Sequence, residues 1–470
     1  MSEPPILLWF RNDLRLADNA ALHAALQAGR PVVPVFVLED EPTQPWQPGG
    51  ASLWWLHHSL MALDQGLRRH GGYLVLRRGN TITELNRLFA ETGATEIFTG
   101  YAPEPTARAT ERRLLRSGIP LRRFRTVTLF DPDTLRTHAG APFSVYTPFS
   151  RAAFATGGPS PPLPAPKRIP VPAKQPPSDR LEEWDLLPTK PDWAGGLRKQ
   201  WQPGEAGALN RLSDFLDDGL IDYAKRRDRP EIEGTSMLSP HLHFGEISPA
   251  QVWHAAATSG APAADKFLRE LLWREFSIHL LWHHPDLPDA PLRASFAKMP
   301  WRHDKAALKA WQRGLTGIPI VDAGMRQLWH IGWMHNRVRM LAASFLVKHL
   351  LLPWQDGEAW FWDTLVDADL ANNSASWQWV AGCGADAAPY FRIFNPVLQG
   401  QKFDPEGAYV RAWVPELAKL DSTYIHAPWD APEMTLRYAG IALGRTYPRP
   451  LVGLREGRAR ALEAFASIGR

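Results

Sequence analysis

Polar and aromatic side chains crowd into one C-terminal stretch of the chain, residues 367–379. These thirteen residues include two carboxylates, two asparagine amides and two indoles, namely Asp367, Asp369, Asn372, Asn373, Trp377 and Trp379. Buried carboxylates need charged or hydrogen-bonding partners, so this set suits a polar ligand better than a closed core. Arg339 is a candidate partner. The D-x-D spacing also suits a metal, but no histidine or further carboxylate follows at a convincing distance.

Two helical segments carry side-chain combinations that are unusual for a plain core. Helical spacing places Asn336, Arg339 and Met340 near one face, and it places Glu270 and Trp273 on one face of an earlier segment. A carboxyl group beside an indole suits a hydrogen bond combined with a stacking platform. The alternatives are an amphipathic helix with solvated arginines, and a salt bridge at the rim of a core tryptophan.

A hydroxyl-rich turn at residues 233–240 precedes a helical stretch. Thr235, Ser236 and Ser239 follow Gly234 and can present several O–H and N–H donors to a phosphate group. Taken alone, such a pattern is more often a helix cap and turn than a binding site.

Residues 1–130 alternate between short apolar runs and helical patterns, which predicts a doubly wound parallel sheet. The predicted strands are 6–10, 32–38, 73–77, 96–100 and 121–127, and the predicted helices are 18–29, 52–70, 81–93 and 104–118. The first strand leads into neither a G-x-G-x-x-G nor a Walker A sequence. This argues against a dinucleotide bound in the Rossmann manner but leaves open a ligand at the carboxyl ends of the strands.

A proline-rich connector is predicted over residues 151–203, since nine prolines fall within residues 158–177. Trp184, Trp193 and Trp201 predict that it lies against the protein surface. From residue 204 onward, apolar spacings of three and four predict helices at 209–219, 249–257, 264–281, 305–314, 322–328 and 335–351. The expected organisation is an α/β domain over 1–150, the connector, and an all-α domain over 204–470.

The composition is that of a globular protein of two or three domains, with 470 residues, 44% apolar and 22% charged. No apolar run is long enough to span a membrane and the N-terminus lacks a secretory pattern, so we expect a soluble, cytoplasmic protein. The single cysteine, Cys383, excludes an intramolecular disulfide. The net charge is +4, but residues 201–470 carry 29 basic and 30 acidic residues, so a nucleic-acid surface there must be a local patch.

Together these segments resemble the photolyase/cryptochrome family over almost the whole chain. The segments that carry the resemblance follow the family's order: 9–15, 54–56, 144–149, 234–239, 273–276, 332–340 and 367–396, the last including Tyr390. The resemblance implies an α/β domain joined by a long connector to a helical domain that holds FAD. It is greatest to the bacterial enzymes that repair cyclobutane pyrimidine dimers.

The resemblance also implies which residues hold FAD. The residues that match the segment around its phosphates are Tyr223, Thr235, Ser236, Met237, Leu238 and Ser239. Asp367 and Asp369 match the carboxylates near the ribityl chain and the ring system, and Arg339 matches the arginine that pairs with the first of them. Asn373 matches the residue facing flavin N5. Met237 stands where some relatives have a polar or basic residue, but its backbone can still donate hydrogen bonds.

Other residues match the family's reaction machinery. Trp377, Trp354 and Trp301 match, from the flavin outward, the tryptophan chain that carries electrons during photoreduction. The residues that match the pocket for an extruded dimer are Glu270, Trp273, Asn336, Met340 and Trp379, and those that match DNA-contacting positions are Arg227, Arg337 and Gln399. In that pocket Glu270 is implied to donate a hydrogen bond or a proton to the dimer.

The implied function is light-dependent DNA repair, a deoxyribodipyrimidine photo-lyase activity in which excited, reduced FAD lends an electron to the dimer. The alternative is a cryptochrome-type light receptor without repair. Asn373, where many receptors carry Asp or Cys, favours repair, as do Trp273, Met340 and a chain that stops about 75 residues after Asn395. Repair of the (6–4) photoproduct is disfavoured because residues 336–340 lack that subfamily's histidine pair. A non-flavin nucleotide-binding module would explain residues 1–150 but not the C-terminal motifs.

The family also binds a second, light-harvesting chromophore near the N-terminal domain, and the resemblance favours a reduced folate over a deazaflavin. The implied partner is DNA that contains cyclobutane pyrimidine dimers. We expect a monomer that binds neither a membrane nor a metal.

Overall fold

The computed structural model describes residues 3–40, 46–386 and 391–468, so Tyr390 lies outside the described residues. The chain forms two compact units. The first comprises Met1–Ala194, Arg198–Ile221 and Ser236–Pro285, and the second comprises Gly195–Leu197, Asp222–Thr235 and Asp286–Arg470. This division differs from the boundaries expected at residues 150 and 203, which stay a prediction.

A five-stranded parallel sheet lies at the centre of the first unit, in the order β3-β2-β1-β4-β5. Its strands are β1 Ile6–Phe10, β2 Val32–Leu38, β3 Val75–Arg78, β4 Glu96–Gly100 and β5 Leu121–Phe124. β1 pairs on both sides, with Ile6 opposite Val32 of β2 and Glu96 of β4. Strands buried on both faces read as continuous apolar runs, as β1 and β2 do. The predicted doubly wound sheet is confirmed.

Two strands differ from their predicted bounds. β3 begins at Val75 and not at residue 73, because the backbone N–H of Leu74 donates to Asp64 Oδ1 at 2.9 Å and so leaves the strand ladder. β5 ends at Phe124 and not at residue 127, because Phe124 pairs with Gly100, the last residue of β4. Beyond that pair no partner strand continues.

Four helices link the strands of the first unit, namely α1 Ala20–Gln27, α2 Gly50–Arg69, α3 Thr81–Thr92 and α4 Pro105–Arg116. The helices that follow in this unit are α5 Tyr146–Ala155, α7 Glu205–Asp214, α9 Ser239–His243, α10 Pro249–Thr258 and α11 Ala264–His283. Residues of α6, Gly195–Gln200, are shared between the two units. The four linking helices lie within three residues of their predicted bounds. A short π-helical turn, Phe215–Gly219, extends α7.

The second unit is helical, as predicted for the C-terminal part of the chain. Its helices are α8 Tyr223–Arg226, α12 Lys305–Gln312, α13 Pro319–Ile331, α14 Asn336–Ser344, α15 Trp354–Thr364, α16 Leu370–Ala381, α17 Pro396–Phe403, α18 Ala408–Trp413, α19 Glu433–Tyr438 and α20 Leu454–Ile468. Trp311, Trp354 and Trp377 lie in its apolar core. Of the helices in the described ranges, none is long and apolar enough to cross a membrane.

The predicted connector lies against the first unit through backbone hydrogen bonds. The N–H of Val32 donates to the Pro170 carbonyl at 2.7 Å, and the N–H of Ile169 donates to the His70 carbonyl at 2.8 Å. Trp184 is buried. Residues 158–177 form neither helix nor strand, but the second half of α5, the whole of α6 and a short 3₁₀ turn fall within the expected connector.

At the carboxyl end of the sheet, β1 and β4 end side by side, which is the usual ligand position in a doubly wound fold. Here Arg11 donates to the Gly100 carbonyl and, at 2.6 Å, to Glu111. Gly100 has no room for a side chain, because a Cβ would lie 2.6 Å from Asp13 Oδ2 and closer still to Thr126 Oγ1. The chain's own side chains therefore fill this position.

Candidate functional site

A buried ion pair joins two of the predicted cofactor residues in the second unit. Arg339, on α14, donates from Nη2 to Asp367 Oδ2 at 2.8 Å and from Nε to the Met334 carbonyl at 2.7 Å. The Asp367 side chain is 4% exposed, and its second oxygen, Oδ1, is buried with no hydrogen-bond partner among the residues that the structure describes. Such an oxygen needs a donor from outside the protein. The predicted pairing of Arg339 with Asp367 is confirmed.

The first turn of α16 orients the polar residues that follow Asp367. Asp369 caps the helix, since its Oδ1 accepts from the backbone N–H of Asn372 at 2.8 Å and from the Asn372 side-chain amide at 2.6 Å. Asn373 donates from Nδ2 to the Glu358 carbonyl at 3.1 Å. This bond uses one of the two amide N–H groups, so the amide oxygen is available to accept a hydrogen bond from a ligand and the second N–H to donate one.

Glu358, on α15, contacts Asn373 and is not among the predicted site residues. Its side chain is fully buried, and neither carboxyl oxygen has a hydrogen-bond partner among the described residues. Burial raises its pKa to about 8, which favours the protonated carboxyl group at neutral pH. The sequence carries no signal for this residue, because a glutamate in a helix is usually solvated.

The three tryptophans of the predicted electron chain lie in or beside the core of the second unit. Trp377 and Trp354 are each 2% exposed, whereas Trp301 is only partly buried against the same core. Within the described ranges, the rings that contact Trp377 are Phe361 and Trp311, with centroids 5.0 and 6.2 Å away. The observed ring contacts of Trp377 therefore do not include Trp354.

α14 begins at Asn336 and carries three residues predicted to contact the substrate or DNA. Asn336 Nδ2 and Arg337 Nη1 approach Met340 Sδ at 4.0 and 3.9 Å. Arg337 Nη2 also donates to Asp228 at 2.7 Å, and its guanidinium lies over the Phe403 ring at 4.4 Å. Part of the Arg337 guanidinium is therefore already engaged within the protein, and a DNA phosphate would be bound by its remaining N–H groups.

The other predicted residues of the second unit are partly or fully buried. Arg227 has a side chain that is 14% exposed, and its guanidinium lies 5.3 Å from the centre of the Tyr223 ring. Tyr223 is buried at the start of α8. Trp379 on α16 and Gln399 on α17 are half-buried. The structure thus brings Arg227 and Tyr223 together, as a cation above an aromatic ring.

In the first unit, two predicted substrate residues lie one turn apart on α11. Trp273 stacks face to face with Tyr146, with centroids 3.6 Å apart and rings 5° from parallel. The Tyr146 hydroxyl donates to the Arg269 carbonyl at 2.6 Å. One face of Trp273 is therefore covered, and only the other is left for a ligand. Glu270 pairs with Lys266 at 3.7 Å, which is the salt bridge that the alternative interpretation expected.

Tyr146 is a neighbour of the site that sequence reasoning missed. The signal was present, because Tyr146 lies inside the segment 144–149 that carried the family resemblance. It sits 127 residues before Trp273, and no periodicity or spacing connects the two residues. Only the fold shows that one ring covers the other.

The hydroxyl-rich turn leads into α9, which begins at Ser239. Met237 has a φ of 49°, a left-handed conformation that is uncommon for a residue with a side chain. Ser236 Oγ accepts from the N–H of Leu238 at 3.4 Å. These features fit both the helix-cap interpretation and a phosphate-binding turn. Thr235, at the other end of the turn, belongs to the second unit.

The carboxylates of the D-x-D segment have other uses than a metal. Asp367 pairs with Arg339, and Asp369 caps α16. Across the residues that the structure describes, no group of three or more His, Cys, Asp or Glu side chains is placed to hold a metal ion.

Two family models match the chain. The model described as DNA photolyase matches residues 6–167, and the model described as the FAD binding domain of DNA photolyase matches residues 267–467. The deoxyribodipyrimidine photo-lyase of Agrobacterium fabrum is 51% identical over 99% of this chain and 98% of its own length. Cryptochrome-1 of Arabidopsis thaliana is 39% identical over 98% of this chain and 70% of its own length.

A solved structure gives the same result. The crystal structure of a bacterial class III photolyase from Agrobacterium tumefaciens matches with a TM-score of 0.96 and 50% identity, and the match covers 100% of this chain and 98% of that one. The matches therefore extend through the sheet and the helical part alike. The chain belongs to the DNA photolyase family.

Proposed function

We propose that this chain uses FAD and blue light to split cyclobutane pyrimidine dimers in DNA, the activity for which its photolyase relatives are named. The observation that carries the proposal is the buried Arg339–Asp367 pair with its unsatisfied carboxylate oxygen. It lies within the part of the chain that the FAD-binding family model matches. Asn373 stands nearby as an amide, and not as the acid or thiol of many receptors.

The residues at this position fit FAD. Asp367 Oδ1 and the amide oxygen of Asn373 would accept hydrogen bonds from hydroxyl and N–H groups of the cofactor. Arg339 is fixed by two hydrogen bonds, and its positive charge would favour an anionic flavin. When bound and reduced, the flavin absorbs blue light and supplies the electron that cleaves the dimer.

The phosphate end of the cofactor would be held by Tyr223, Thr235 and the turn that follows. Met237 and Leu238 would contribute backbone N–H groups, for which side-chain polarity is not needed. Asp369 would act chiefly by capping α16, which fixes the position of Asn373 one turn further along the helix.

A dimer is inaccessible inside a duplex, so photolyases act on an extruded one. The uncovered face of Trp273 would stack on the extruded pyrimidines, with Trp379, Asn336 and Met340 as further pocket residues. Glu270 would exchange its ion pair with Lys266 for a hydrogen bond to the dimer. Contacts to DNA phosphates would come from Arg227, Arg337 and Gln399.

Trp377, Trp354 and Trp301 would supply electrons that return oxidised FAD to the reduced state. The greater exposure of Trp301, against the full burial of Trp377 and Trp354, supports its place as the outermost member of the chain. Repair itself does not need them, because its electron comes from the cofactor. Trp377→Phe should therefore abolish photoreduction of oxidised FAD and leave repair by chemically reduced enzyme unchanged. Photoreduction that survives in the variant would indicate another route, for which Trp311 offers a neighbouring ring.

For the second chromophore we propose a reduced folate and not a deazaflavin. The position between β1 and β4 where a doubly wound sheet usually binds a planar ligand is filled by Arg11, Asp13 and Thr126. Extraction of the purified protein and chromatography of the released chromophores tests this proposal, and a released deazaflavin would contradict it. We further propose that the protein acts as a monomer in the cytoplasm.

The function is tested with holoprotein whose FAD has been chemically reduced, mixed with an oligonucleotide that carries one thymine dimer. Dimers should disappear under blue light and persist in darkness. The 39% identity to Cryptochrome-1 makes a light receptor the second candidate. Reduced, illuminated holoprotein that leaves the dimers intact would support the receptor and contradict repair.

A further inference from the structure

Positive charge is concentrated on α4 and β5 of the first unit. Residues 104–125 contain seven arginines, no lysine and two glutamates, a net charge of +5 in a chain whose total is +4. The remaining residues of the first 200 are balanced in charge. The arginine surface consists of the six exposed arginines of this segment, which are Arg112, Arg113, Arg116, Arg122, Arg123 and Arg125.

The fold places these arginines on two neighbouring elements. α4 packs inward through Glu111 and Leu114, both nearly inaccessible, so Arg112 and Arg116, one turn apart, are left in solvent. β5 follows within the same unit, pairs only with β4 and forms the edge of the sheet. Arg123 Nη1 reaches Glu111 Oε2 at 3.2 Å, which links the charged strand to α4.

Much of this charge has no counter-ion among the described residues. Within the described part of the chain, the side chains of Arg112, Arg113 and Arg116 form neither ion pairs nor hydrogen bonds. Arg122 lies over the Phe98 ring at 4.5 Å. The pKa of the adjacent Arg108 is lowered, first by burial and then by the charge of Arg112. Exposed like charges at this density repel one another until an anionic partner neutralises them.

Two properties of the fold explain part of this clustering of arginines on α4 and β5. Arg113 and Arg116, in the last turn of α4, interact favourably with the helix dipole. Charges on the edge strand β5 oppose pairing with a second sheet. Neither effect accounts for Arg112, which lies outside the last turn of α4 and outside β5. The planar guanidinium is distinguished from lysine by its bidentate fit to phosphate oxygens.

We infer that the arginine surface binds the phosphate backbone of duplex DNA, independently of its sequence and of the lesion. The inference rests on the proposed function, because DNA is the polyanion that a dimer-repairing enzyme meets. Residues 201–470 carry a net charge of −1, so the excess positive charge of the chain lies in the first 200 residues, where it would attract DNA at long range. A membrane surface would require apolar residues among the basic ones, and this segment exposes one large apolar side chain, Leu115.

The test compares the holoprotein with a triple variant, R112Q/R113Q/R116Q. A matched control, R151Q/R168Q/K174Q, removes the same charge from exposed residues elsewhere in the first unit. Binding to an undamaged duplex of about 40 base pairs is measured by fluorescence anisotropy between 50 and 200 mM salt, with repair per absorbed photon measured separately at saturating damaged DNA.

Each lost phosphate contact removes about 0.9 from the slope of log K against log salt, so the triple variant should lose about 2.7. Over that salt range the wild type should then lose about 40-fold more affinity than the variant. The control should keep the wild-type slope, and R112K/R113K/R116K should keep most of it. Repair at saturation should be unchanged in all three.

Equal slopes in the triple variant and the control would overturn the inference, as would loss of repair at saturation with the slope intact. If the triple variant fails to retain FAD, R112Q alone should lower the slope by about 0.9. Because the slope is measured on undamaged DNA, it tests the arginine surface even if the protein proves to repair nothing. A wild type that shows no salt dependence with DNA would also refute the inference and would point to an acidic protein partner.

Discussion

Gly357→Ala is predicted to destabilise the protein, although the same change stabilises most helices. Gly357 lies inside α15, where replacing Gly by Ala would gain about 1 kcal/mol from helix propensity alone. A Cβ at this position would, however, lie 2.5 Å from Cζ3 of Trp377, closer still to Cη2, and 2.6 Å from Leu346 Cδ2. Carbon atoms in contact are ordinarily about 3.5 Å apart, so the indole must move by roughly 1 Å.

The indole has little space into which it can move. Trp377 is 2% exposed and contacts both Phe361 and Trp311. Overpacking of a filled core costs about 1–3 kcal/mol, which offsets or exceeds the gain in propensity. The net change in the free energy of unfolding is therefore a loss of up to about 2 kcal/mol, and the thermal midpoint should fall by a few degrees. Displacement of Trp377 should also slow photoreduction of FAD.

Gly66→Ala provides the matched control. Gly66 also lies within a helix, α2, but the nearest atom to its added Cβ would be Leu16 Cδ1 at 3.4 Å, which is ordinary contact. This variant should be as stable as the wild type or up to about 1 kcal/mol more stable. Thermal unfolding of both holoproteins is followed by circular dichroism. If Gly357→Ala were as stable as Gly66→Ala and photoreduced its FAD at the wild-type rate, the steric reasoning would be refuted.

Two further predictions concern the residues that sequence reasoning missed. Tyr146→Leu removes the ring that covers Trp273 and should weaken binding of dimer-containing DNA about 2- to 10-fold, since an aromatic pair contributes about 0.5–1.5 kcal/mol. Tyr146→Phe keeps the ring, so equal losses of affinity in the two variants would contradict a stacking role. Glu358 has a pKa of about 8 in the fold against an ordinary 4.5, so its contribution to wild-type stability is lost as pH rises from about 4.5 to about 8. The thermal midpoint of Glu358→Gln should therefore rise relative to wild type over that range, and parallel pH profiles in calorimetry would show that the carboxyl is not held neutral.

The sheet could be predicted from the sequence because its strands are buried on both faces. β1 and β2 are apolar runs, and the predicted limits of β1, β2 and β4 coincide with their hydrogen-bonded limits. The ends of β3 and β5 could not be predicted, because they depend on where the partner strand stops and on a side chain, Asp64, that competes for a backbone N–H. Local sequence does not contain either piece of information.

In the candidate site, too, some features could be predicted from local sequence and others depend on distant segments. A cation was expected for Asp367 because a buried carboxylate requires one, and Arg339 fills that requirement. The cover over Trp273 and the acid beside Asn373 come from segments with no local pattern of their own. For Arg337, the sequence suggested a contact with DNA but could not show that the fold already pairs this side chain with Asp228.

The connector has a consequence for the order in which the chain folds during synthesis. Pro170 accepts a hydrogen bond from Val32 at the start of β2, and the N–H of Asp179 donates to the Leu76 carbonyl in β3, so both inner and outer strands are completed by residues far downstream. A nascent chain that has reached residue 150 has all five strands but lacks these bonds. At about 5–20 residues per second, the ribosome needs roughly 1.5–6 s to deliver residues 151–179. Until those residues are made, the N–H of Val32 at the start of β2 and the carbonyl of Leu76 in β3 lack these partners, so a fragment cut at residue 150 would contain all five strand sequences but not the connector bonds that complete them.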